Sequence, residues 1–107
     1  MNNLDFATFL ALPLSSQSAA LTIWSMQNQI KNETKQDWSV GTFESRKTGI
    51  KGIVLTKGDR RVKLVESPDG NWMHVTGATG DLAASLAAGI VAERFGHSQI
   101  VLTDLAA

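Results

Sequence analysis

Hydrophobic positions along the chain change their period twice. They recur at three-and-four spacing over residues 4–30, alternate in short runs over 38–76, and return to helical spacing over 82–95. The first segment holds Leu4, Phe6, Phe9, Leu10 and Leu12. Pro13 interrupts it, and Ser15 or Ser16 can then cap a second helix by accepting from the free amides of its first turn. In that second helix Ala19, Ala20, Ile23, Trp24, Gln27 and Ile30, with Met26 alongside, mark the face expected in the core.

Four β-rich runs follow, over 38–45, 50–57, 60–67 and 71–76, separated by RKTG, GD and PDG, and they read as an antiparallel meander. GATGD then leads into an Ala-rich helix over 82–95. Ala83, Ala84, Ala87, Ala88 and Gly89 are expected to let it approach its neighbours closely, Leu82, Leu86 and Ile90 are its expected anchors, and Gly96 is its expected left-handed cap. A last strand is expected around 100–102, where it can lie at a sheet edge open to a second copy of the chain. The order predicts an α+β fold: N-terminal helical segments, a four-stranded antiparallel meander, one further helix and a final strand, with the helices on one sheet face. With 107 residues, the whole chain 1–107 is expected to form a single small domain.

The hairpins decide which side chains share a face. A two-residue Gly58–Asp59 loop sets Lys57 opposite Arg60 and Ile53 opposite Leu64. Ile53, Leu55, Val62 and Leu64 then point into the core, while Arg61 and Lys63 point away with Gly52, Val54, Thr56 and Val65. The next hairpin admits two registers. A three-residue PDG loop turns Trp72 and His74 inward, whereas a four-residue PDGN loop buries Met73 and Val75 and leaves Trp72 and His74 beside Arg61 and Lys63. Apolar matching favours the second.

Charge sharpens this picture. Ten basic and ten acidic residues cancel overall. Yet residues 46–63 carry seven cations (Arg46, Lys47, Lys51, Lys57, Arg60, Arg61, Lys63) against Asp59 alone, a local balance of 7 − 1 = +6. Lys51, Lys57, Arg60, Arg61, Lys63, Trp72 and His74 are the candidate binding residues. Cations can track a phosphate backbone and an aromatic ring can stack on a base, so single-stranded nucleic acid is one ligand this set suits. Between Leu14 and Asn32 the only charge is Lys31, so the two N-terminal helices lack a DNA-reading face.

Catalytic chemistry is hard to place. The absence of cysteine excludes disulfides, thiolate metal sites and a cysteine nucleophile, and it fits a reducing, cytoplasmic location. His74 and His97 are the only histidines, and neither has a second ligand at metal spacing, so no metal or cofactor is expected. His97 follows the helix-ending Gly96, where a cation is mildly favoured. TGATGD places a turn at a helix start, but Asp81 opposes an anion there and no GK[ST] follows. The segment 6–14 is apolar but lacks the basic residues that precede a signal sequence's core, and the longest apolar run, 82–92, is too short to span a bilayer.

The leading expectation is therefore a non-enzymatic intracellular module that binds a protein partner as adaptor, inhibitor or assembly subunit. A nucleic-acid binder using the basic hairpin face around residues 51–74 is the alternative. The segment 6–14 packs on its own sheet, or else serves as a docking helix or dimer contact.

Overall fold

The computed structural model describes residues 5–97 and 99–103. Two N-terminal helices, α1 (Phe6–Ala11) and α2 (Gln17–Thr34), precede strands β1 (Ser39–Glu44), β2 (Lys51–Lys57), β3 (Arg60–Glu66) and β4 (Met73–Thr76). Helix α3 (Leu82–Arg94) and strand β5 (Ile100–Thr103) complete the order. The five strands form one sheet in the order β1-β2-β3-β4-β5. The first four make an antiparallel meander, and β5 returns through α3 to pair parallel with β4. This is the expected α+β architecture. Leu4 lies outside the described residues, and β5 occupies one edge of the sheet.

Short-range chemistry explains the punctuation. Asp5 caps α1 by accepting the Thr8 amide at 2.7 Å, and Ser16 caps α2 by accepting the Ala19 amide at 3.2 Å. Gly58 takes φ +62° at the first central position of the two-residue loop, the place where a II′ turn requires it. The register is the one that this loop dictates, from Lys57 opposite Arg60 to Ile53 opposite Leu64. In the next hairpin the Ser67 amide donates to the Trp72 carbonyl at 2.8 Å, enclosing the four residues PDGN. Glu66 therefore pairs with Met73 and Leu64 with Val75, and Met73 and Val75 are buried.

The core lies between the sheet and the helices. Val40, Ile53, Leu55, Val62, Leu64, Met73 and Val75 face Phe6, Phe9, Ala19, Met26, Ile30 and the Ala side of α3. The apolar segment ahead of Pro13 is thus core: Phe6 and Phe9 pack against Phe95, with ring centroids 5.3 and 5.5 Å apart.

Two helix faces differ from the sequence reading. In α2 the buried stripe is Ala19, Met26 and Ile30, with Ile23 partly buried against it, whereas Trp24 is 63% exposed and Ala20 is exposed. At 100° per residue Trp24 stands about 130° from the centre of that stripe. Gln27 lies at its flank and uses its side-chain oxygen to accept the Val40 amide at 2.8 Å, holding α2 along β1. In α3 the expected anchors Leu82 and Leu86 are 90% and 46% exposed. Ala84, Ala87 and Ala88, expected as close-approach positions, are buried with Val91 and Ala92, so α3 approaches through its small side chains, and the expected anchor Ile90 is buried too. Arg94 joins the two helices by donating to Gln29 at 3.1 Å and to Ser25 at 2.6 Å.

Candidate binding face

Strand alternation sends every second side chain to the face of the sheet opposite the helices. The registers arrange these positions in three cross-strand rows. The first is Phe43, Gly52, Val65, His74 and Val101; the second is Gly41, Val54, Lys63, Thr76 and Thr103; the third is Ser39, Thr56 and Arg61. None of these thirteen positions carries a carboxylate. Only Gly52 is buried, and among the described residues no helix covers the face.

The rows grade from apolar to cationic. Gly52 makes the first row compact, because a Cβ there would stand 2.8 Å from the Phe43 ring and 2.9 Å from Val65. Both side chains lean into the space that glycine leaves. The Lys63 ammonium then sits 5.1 Å from the centroid of the Phe43 ring, a cation–π contact that ties the second row to the first. Phe43, Glu44, Ser45, Arg46, Lys47, Val54, Arg61 and Lys63 together line a groove of about 520 Å³. It collects four cations against Glu44.

At the other side of the face Trp72 and His74 stand with ring centroids 6.0 Å apart at 56°. His74 Nε2 lies 2.5 Å from Thr103 Oγ1, which fixes the imidazole against β5. Trp72 is positioned by its loop. Buried Ser67 accepts the Trp72 and Asn71 amides, both at 3.2 Å, and donates to Asp69 at 2.6 Å. That hydroxyl, followed by the Asn71 amide, holds the Asp69 carboxyl below the usual carboxylate range.

The structure therefore divides the candidate set. Arg61, Lys63, Trp72 and His74 lie together on or beside the uncovered face. Lys51, Lys57 and Arg60 have the opposite parity and stand at the strand ends on the helix side. Lys51 approaches Glu44 at 4.0 Å, and Arg60 pairs with Asp81 at 2.6 Å. Adjacency along the chain had grouped residues that strand alternation separates.

One polar pair has no short-range signal in the sequence. His97 is buried beyond the end of α3, with Nε2 2.8 Å from the Glu66 carboxylate and Phe6 edge-on at 6.2 Å. Its Nδ1 is buried and has no hydrogen-bond partner among the described residues. Among the described residues no group of three His, Asp or Glu side chains is placed to hold a metal ion, and no helix is long and apolar enough to cross a membrane. Comparison with protein-family models, with curated proteins and with solved structures finds no match to this chain.

Proposed function

We propose that the protein is a binding module that docks an acidic protein partner on the uncovered face of its sheet. The carrying observation is the face itself: Phe43, Val54, Val65 and Val101 interleaved with Arg61, Lys63 and His74, with no carboxylate among the positions. Aliphatic side chains beside cations suit a partner that presents apolar residues flanked by Asp or Glu, since charge complementarity steers encounter while apolar burial holds the complex.

Single-stranded nucleic acid is the second reading, favoured by the groove in which Arg46, Lys47, Arg61 and Lys63 surround Phe43. Two features weigh against it. Lys63 already occupies a position over the Phe43 ring, and the valines offer a base no π surface.

Affinity capture from the native cell, split into nuclease-treated and untreated halves and washed at rising salt, tests the choice. The protein-docking reading expects a stoichiometric protein that survives nuclease and is released as salt screens the cationic face. Retention of nucleic acid, with all proteins lost on digestion, replaces it by the second reading. Capture of neither contradicts both.

A further inference from the structure

The loop between β1 and β2 adds two cations that belong to none of the cross-strand rows. The Ser45 amide donates to the Ile50 carbonyl at 2.8 Å, and the Gly49 amide donates back to the Ser45 carbonyl at 2.8 Å. Gly49 takes φ +73°, the left-handed conformation that glycine adopts without strain. Arg46 and Lys47 are thus carried, exposed, on a hydrogen-bonded turn at the end of β1. They line the groove of about 520 Å³ together with Arg61 and Lys63 of β3, and Val54 of the intervening strand β2 lies in the same lining.

We propose that this groove seats a short acidic segment of the protein partner, with an apolar side chain of the segment on Val54 and its carboxylates against the four cations. The inference rests on the docking reading above and names the part of the partner that is recognised. Charge complementarity carries it. None of Arg46, Lys47, Arg61 and Lys63 forms an ion pair with a carboxylate among the described residues. Glu44 is the one acid of the lining and stands 4.0 Å from Lys51 on the next strand. The balance of the lining is 4 − 1 = +3.

Size and surface narrow the occupant further. A space of about 520 Å³ is many times the roughly 30 Å³ share of one water, so it suits a chain segment better than a lone anion. A nucleic-acid strand would need an open ring for its bases. Val54 offers none, and Lys63 already stands over the Phe43 ring.

Peptide titration separates this inference from the docking reading on which it rests. The probe is a Glu-rich peptide with a central Leu, compared with the same peptide carrying Ser for Leu and with an oligothymidylate, all at constant ionic strength and read by fluorescence anisotropy. Saturable binding of the Leu peptide is expected, with the Ser peptide about tenfold weaker. Arg46→Glu with Lys47→Glu, on an exposed turn, should weaken the Leu peptide about tenfold or more and reduce capture of the cellular partner. Peptide affinity unchanged by that pair, equal affinity of the two peptides, no saturable peptide binding, or tighter binding of the oligothymidylate overturns the groove. Partner capture that survives Arg46→Glu with Lys47→Glu but is lost with Arg61→Glu and Lys63→Glu also overturns it, while the docking reading stands. Peptide binding that depends on Arg46 and Lys47, with no protein captured from the cell, supports the groove and removes the docking reading instead.

Discussion

The two faces of the same five strands use their side chains in opposite ways. Toward the helices, Ile53, Leu55, Val62, Leu64, Met73 and Val75 are almost wholly buried, and α3 meets them through alanines. Away from the helices, Val54, Val65 and Phe43 are only partly buried and share their face with Arg61, Lys63 and His74. Burial on the first face drives folding, because apolar area leaves water there. The second face leaves apolar and cationic groups partly exposed. Side chains one residue apart, such as Leu64 and Val65, therefore meet opposite surroundings: the closed core on one side, an uncovered face on the other.

The largest break in that contrast should come from truncating adjacent residues. Leu64→Ala should cost about 2–5 kcal/mol, while Val65→Ala on the other face should cost less than about 1 kcal/mol; urea unfolding measures both. Equal costs would mean that the outer face is packed as tightly as the inner one.

Gly52 is the exception on the outer face, and Gly52→Ala sharpens the comparison. The new methyl would collide with the Leu64 carbonyl and crowd Phe43 and Val65. A loss of about 1–3 kcal/mol is expected, with the Phe43 row disturbed. An unchanged urea midpoint would show that the row is free to rearrange.

The exposed helix positions should respond least to polar replacement. Leu82→Ser, at 90% exposure, should stay within about 0.5 kcal/mol of the parent. A larger loss would restore Leu82 as an anchor.

The smallest effect concerns Asp5. The Thr8 hydroxyl, and then the Thr8 amide, hold its carboxyl below the ordinary aspartate value. A group whose folded pKa is depressed stabilises above its unfolded pKa, about 3.9, and that contribution is lost as pH falls through the lower folded value. The urea-midpoint gap between the parent and Asp5→Ala should thus be steady above about pH 5 and shrink under acid. A gap that widens on acidification would contradict the cap's ionic character.

Much of the fold was legible because local rules governed it. Gly58 at a two-residue loop fixed one register, and the need to bury Met73 and Val75 favoured the four-residue PDGN loop that the Ser67–Trp72 hydrogen bond encloses. Helix faces were harder to read. Trp24 and the Ala19, Met26, Ile30 stripe are both apolar, and only the sheet decides which turns inward. The alanines of α3 were legible as close-approach positions, but Leu82 and Leu86, expected to anchor the helix beside them, stay exposed. The His97–Glu66 pair spans 31 residues, a separation that carries no periodic signal. The grouping of the candidate residues was not legible from their order along the chain, because Lys57 and Arg60 belong to one side of the sheet and Arg61 and Lys63 to the other.

The most direct test of the central claim reverses the same amount of charge on the two sides. Arg61→Glu with Lys63→Glu alters the uncovered face, while Lys31→Glu with Lys51→Glu alters the helix side, and partner retention is measured for both folded proteins in nuclease-treated extract. The account predicts that the first pair abolishes retention and the second leaves it near the parent level. Equal retention by the two variants, or loss confined to the second, would contradict the assignment of recognition to the uncovered face.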